Sequence, residues 1–124
     1  MNNDGKIRFA FKELEEGISM LRLMGELNSL YEQKARHAVE RSLKRADYRL
    51  IIELSNVTAA NSSGTEVLID AFTLARGHGG KVVVMNPIDE VLDVFNLVGL
   101  PQILDVKFGI EAAMESFGPE YRKK

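Results

Sequence analysis

Ile7, Phe9 and Phe11 alternate with Arg8, Ala10 and Lys12 near the head of the chain, the period of a strand that buries one face. Glu15-Glu16-Gly17 supplies a turn, and Ile18 to Leu27 reads as a second strand, so the two predict a hairpin. The period then changes. Ser29 is placed to cap a helix whose apolar residues Tyr31, Ala35, Ala38, Val39, Leu43 and Ala46 share one face. Glu32, Arg36, Glu40 and Lys44 alternate in sign at four-residue spacing on the opposite face, which is expected to be solvated, with His37 beside them as a surface residue.

The run from Tyr48 to Leu54, "YRLIIEL", predicts a central strand covered on both sides. Val67, Leu68, Ala71, Leu74 and Ala75 predict a second helix from Gly64 to Arg76, stopped by the glycines between 77 and 80. "KVVVMN", 81–86, reads as a strand, and Pro87 opens a helix that carries Ile88, Val91, Leu92, Phe95 and Val98 on one side until Gly99. A short strand within 102–107 and a helix from Gly109 to Phe117 follow, with Ile110, Ala113, Met114 and Phe117 expected to turn inward. The stretch 118–124 reads as a polar tail.

The order is therefore β-β-α-β-α-β-α-β-α. It predicts a single α/β domain over residues 1–124, with a core spanning about 7–117, a mixed and mostly parallel sheet, an N-terminal β-hairpin and about four helices. With 124 residues one core is sufficient.

Composition narrows the function. Sixteen basic and 18 acidic residues leave a formal net charge of −2, which argues against nucleic acid as a partner. No cysteine and only two histidines argue against a metal site or a disulfide framework. No apolar stretch approaches the length of a membrane span, and the N-terminus lacks a secretory h-region, so a cytoplasmic protein without membrane insertion is expected. The sequons at Asn56 and Asn61 are expected to stay unmodified there.

Catalytic motifs are weak. Asn61-Ser62-Ser63-Gly64 lacks the Gly-x-Ser-x-Gly frame of a serine hydrolase, and nothing in the placement of His37 or His78 points either toward Ser63. "GHGG", 77–80, follows a helix instead of opening one, so a helix stop explains it better than a phosphate loop. Asp89, Glu90 and Asp93 suit the positive end of the helix after Pro87.

The segment "NVTAANSSGTEVL", 56–68, stands out by its place, at the sheet edge where loops of parallel sheets carry contacts. Asn61 or Ser62 is a candidate cap and Gly64 relaxes the turn. The same geometry favours an anion, and a serine there accepts a phosphate of about −1.5 to −2 charges without breaking the fold.

"GELN" at 25–28, "NSSG" at 61–64, "GGKVVVMNP" at 79–87 and "VFNLVGLPQIL" at 94–104 resemble the STAS domains, and among them the bacterial anti-sigma factor antagonists. The resemblance implies a small non-enzymatic domain without its own cofactor. Such a domain binds an anti-sigma factor that is itself an ATP-binding serine kinase, and so regulates transcription indirectly by partner switching. It further implies phosphorylation of Ser63 by that kinase, with ATP held by the kinase, and dephosphorylation by a metal-dependent (PP2C-type) serine phosphatase. Asn28, Asn61, Ser62 and Gly64 would surround the phosphosite, and Thr65, Glu66, Thr73 and Arg76 would face the partner. Family members commonly have aspartate where this chain has Asn28 and Asn61, which preserves shape and removes charge. The alternative is a constitutive STAS scaffold, a subunit of a signalling or lipid-transport complex that does not switch; a ligand sensor is a third class.

Overall fold

The computed structural model describes residues 7–122. Five strands form one sheet, β1 (Ile7–Glu13), β2 (Ser19–Leu27), β3 (Arg49–Ala60), β4 (Lys81–Met85) and β5 (Asp105–Lys107), arranged in chain order. β1 and β2 are antiparallel, and each later strand runs parallel to its neighbour. The crossovers are α1 (Glu32–Arg45), α2 (Ser62–Gly77) and α3 (Asp89–Val98), and α4 (Ile110–Glu115) follows β5. The β1–β2 turn closes tightly because Glu16 and Gly17 both take positive φ, 61° and 78°.

Strand alternation divides the interior into two layers. Leu21, Leu23, Leu50, Ile52, Leu54, Val82 and Val84 point to one face and form a core with α1, α2 and α3. Ile51, Val83 and Met85 point to the other, where Ala113 of α4 and Phe117 cover them. β3 is thus buried on both faces from Leu50 to Leu54, as its apolar run predicts. Each such aliphatic side chain stabilises the fold by about 1.5–3 kcal/mol relative to exposure.

Glu53 is the exception within that run. It is 3% exposed, and its carboxylate accepts from Asn86 Nδ2 at 3.2 Å and from the Ser55 N–H at 3.3 Å. Arg22 Nε lies 3.3 Å away on β2. A buried carboxylate persists only when paired in this way. Asn86, with φ 61°, also accepts from the Gly109 N–H at 2.9 Å, so one side chain ties the ends of β3, β4 and β5 together.

Several local expectations are corrected. Ser29 does not cap α1: a 3-10 turn, Ser29–Tyr31, intervenes, and its cap is Asn28. β3 continues six residues past Leu54, because Asn56 to Ala60 pair with Met24 to Leu27 across two register shifts. α4 is shorter than predicted, and Ile110 is 45% exposed instead of inward. The stretch 118–122 is no detached tail. Tyr121 packs edge-on against Phe117 with centroids 6.3 Å apart, and Arg122 Nη1 pairs with Glu16 at 2.8 Å.

Polar contacts anchor the segment after α4. Lys81 Nζ donates to Ser116 O at 2.6 Å and lies 3.1 Å from Asp105, while the Ser116 hydroxyl donates to the Asp105 carboxylate. That hydroxyl, and then Lys81, hold the Asp105 carboxyl below its ordinary value against the opposing effect of burial. A carboxyl with a lowered folded pKa stabilises the fold fully above its unfolded pKa of about 3.9, and this contribution is lost as pH falls through the folded value. The unfolding free energies of wild type and Asp105→Asn, measured by urea titration, should therefore differ most near neutral pH and converge under acid.

Candidate functional site

Because β2, β3 and β4 are parallel, their C-terminal ends share one edge of the sheet, and the turns leading into α1, α2 and α3 gather there. Leu27 and Ala60 pair across β2 and β3, so Asn28 and Asn61 each follow directly on a paired position. Each asparagine acts as a cap. Asn61 is extended (φ −129°, ψ 179°), and its Oδ1 accepts from the Gly64 N–H at 2.9 Å. Asn28 Oδ1 accepts from the Leu30 N–H at 3.0 Å, and its Nδ2 donates to Glu26 at 3.2 Å.

The start of α2 is clamped against the end of β2. The Asn61 N–H donates to Leu27 O at 3.2 Å, and a Cβ built on Gly64 would stand only 1.9 Å from the same oxygen. Glycine is required here by close approach of two backbones, not by its φ. Thr65 finishes the turn: its N–H donates to Asn61 O at 3.0 Å and its hydroxyl to Ser62 O at 2.8 Å.

The cap is therefore Asn61 and not Ser62, which is the first residue of the helix and exposed. Ser63 is second and half-buried. The N–H groups of Ser62 and Ser63 lack intrahelical acceptors, as do all in a first turn, and Asn61 takes up that of Gly64. No acidic residue occupies this first turn. The local potential is that of an unneutralised helix N-terminus, which favours an anion. Asn61→Ala should lower stability by about 1 kcal/mol, while Asn61→Asp, which keeps the acceptor and adds a favourable charge, should not; urea unfolding at neutral pH measures both.

The four expected partner-facing residues separate. Thr65 is 1% exposed and committed to the turn, so its side chain cannot reach a partner; its hydroxyl is satisfied locally and its methyl joins the buried side of the helix. Glu66, Thr73 and Arg76 are exposed. Arg76 stands thirteen residues beyond Ser63, about 20 Å along the helix axis, and its guanidinium lies over the Phe72 ring at 5.9 Å.

Two residues near the site carry no sequence signal. Leu30, in the 3-10 turn beside the N-terminus of α2, is 77% exposed. Asp70 lies on the exposed side of α2 and binds Arg36 of α1 at 2.6 Å, while Arg36 also holds Glu32 at 3.0 Å. Both carboxylates raise the Arg36 pKa, Asp70 most strongly. Among the described residues, no group of three His, Asp or Glu side chains is arranged to hold a metal ion. Nor, among those residues, is any helix long and apolar enough to cross a membrane.

Comparison with known proteins places the chain in a family context. The family model of the STAS domain matches residues 12–113. Among solved structures, TM1081 of Thermotoga maritima is 23% identical and superposes with a TM-score of 0.75, covering 87% of this chain and 92% of its own. An anti-sigma factor antagonist from Mycobacterium paratuberculosis gives 0.77 at 19% identity, with 94% and 97% covered. The phosphorylated form of the Bacillus cell fate determinant SpoIIAA gives 0.60 at 18% identity, with 88% and 98% covered. At these identities the structural likeness speaks for the fold.

Proposed function

Since the chain belongs to the STAS domain family, matched from residue 12 to residue 113, we propose that it is an anti-sigma factor antagonist switched by phosphorylation of Ser63. The observation that carries the reading is the start of α2. Its double serine stands at a helix N-terminus whose first turn holds no carboxylate and whose cap is neutral. The antagonist from Mycobacterium paratuberculosis and phosphorylated SpoIIAA, which share the fold, support the role and the modification respectively.

In this reading the domain catalyses nothing and holds no cofactor of its own. Its partner is an anti-sigma factor with serine kinase activity that supplies ATP, and a PP2C-type phosphatase resets the site. The unmodified domain docks through the turn at Asn61–Gly64, the exposed side of α2 near Glu66, and Leu30, an apolar side chain with little internal packing. Thr73 and Arg76, farther along α2, form the periphery of that surface.

Asn28 and Asn61 fit this role as well as aspartates would for architecture, because each amide oxygen accepts the N–H that a carboxylate would accept. What they change is charge. A phosphoserine seated at Ser63 meets two neutral amides, and the free N–H groups of the first turn point toward it. Glu26, hydrogen-bonded to Asn28, keeps one carboxylate at this edge for recognition.

The test is a titration of the purified chain against a candidate anti-sigma factor kinase from the same organism, by calorimetry with ADP or ATP analogue present. Saturable binding that weakens on Leu30→Ala or Glu66→Arg supports the reading. Absence of binding, with recovery of transporter or scaffold subunits in its place, would instead identify a constitutive STAS scaffold.

A further inference from the structure

The second face of the sheet is only half covered. α4 packs on β4 and β5, whereas the outward positions of β1 and β2 stay open: Arg8, Ala10, Lys12 and Arg22 are exposed, and Met20 and Met24 half-buried. The pairing register sets them side by side, Arg8 opposite Met24, Ala10 opposite Arg22 and Lys12 opposite Met20. The result is a small platform of three cations interleaved with apolar side chains. Only Arg22 has a carboxylate partner, the buried Glu53; Arg8 and Lys12 have no ion pair among the described residues.

Beside it lies a cleft of about 970 Å³ between the β1–β2 turn and α4, of opposite sign. Glu13, Glu15, Glu111 and Glu115 line it over an apolar floor of Leu14 and Met114, with Ile110 45% exposed at its edge. Arg122 lines the same cleft but is already engaged, by Glu16 and by the carbonyls of Phe117 and Met114. Those four glutamates have no ion-pair partner among the described residues.

The two halves form one patch. Lys12 borders both, and its cross-strand neighbour Met20, like Leu14 and Met114, packs against the second core layer. A surface with a basic half next to an acidic half, joined by apolar residues, complements a copy of itself rotated by 180°, because each half then meets the opposite half. A net charge of −2 gives little overall repulsion between copies. We propose that this face is the contact surface of a two-fold symmetric dimer, in which Arg8 and Lys12 of one copy meet Glu111 and Glu115 of the other. The surface lies on the face opposite α2, so a dimer presents both Ser63 sites, and association does not depend on the function proposed for them.

Sedimentation velocity of the full chain over micromolar to sub-millimolar concentration tests this. The wild type is expected to dimerise at low salt, with a dissociation constant that rises about tenfold or more near 1 M salt, where the Debye length falls to about 3 Å. The double variants Arg8→Glu/Lys12→Glu and Glu111→Lys/Glu115→Lys, all at exposed positions, should each sediment as folded monomers. Mixed in equal amounts they should recover a dimer, because both contacts across the two-fold axis then join opposite charges. A wild type monomeric throughout, a dimer that neither variant weakens, or variants that stay monomeric when mixed would each overturn the proposal; circular dichroism confirms that the variants are folded.

Discussion

Gly64→Ala is expected to lower the unfolding free energy by about 3 kcal/mol or more. Helix propensity alone predicts the reverse, since alanine is favoured over glycine by about 1 kcal/mol inside a helix. Sterics decide. The added Cβ would lie 1.9 Å from Leu27 O and 2.5 Å from Leu27 C, and neither backbone atom can rotate aside. Relief requires α2 to lift from the end of β2, which breaks the Asn61 N–H bond to Leu27 O and opens the Asn28 turn beside it. Urea unfolding measures the loss, and a variant as stable as wild type would show that the two backbones are not in contact. Gly77→Ala is a control near the other end of the same helix, where the added Cβ meets nothing within 4 Å.

Phosphorylation of Ser63 should separate stability from binding. The group brings about −1.5 to −2 charges to a helix N-terminus with no acidic residue in its first turn, so thermal unfolding should shift little, or upward. Affinity for the kinase partner should fall about 100-fold, roughly 2.7 kcal/mol, because a docked interface must desolvate that charge or set it against the partner's own. Ser63→Ala should bind as the unmodified chain does. Equal loss of stability and of binding on phosphorylation would mean that the modification acts by disrupting the turn, not by screening the surface.

The hairpin and the three crossover helices follow from periodicity because those elements bury one clear face each. Leu21 and Leu23, or Val91 and Phe95, announce their side by spacing alone. Where polar groups are satisfied through the fold, that signal fails. Glu53 sits in an apolar run, and its partners, Arg22 on β2 and Asn86 just after β4, lie about thirty residues away on either side. Thr65 reads as a surface residue until its hydroxyl is seen to bond Ser62 O, after which burial costs little. The polar continuation of β3 through Ser55 to Ala60 resembles a turn in the sequence, and only pairing with β2 makes it a strand.

The candidate site is defined in the sequence only to the level of its segment. Asparagine and serine cap helices about equally well, so the choice of Asn28 over Ser29 and Asn61 over Ser62 is made by where the strands end. The family resemblance implies Ser63 as the proposed acceptor, whereas exposure alone favours Ser62. Leu30 had no signal at all, because an isolated leucine in a turn shows its exposure only when the surrounding fold fails to cover it.

The difference between the two serines tests the proposed phosphorylation switch most directly. The purified chain is incubated with the proposed anti-sigma factor kinase and ATP, and the phosphate is located by mass spectrometry of the peptide that spans Asn56 to Arg76. One phosphate is expected, on Ser63, and none when Ser63→Ala is used in its place. Phosphate on Ser62, or an unmodified peptide with an active kinase, would contradict it.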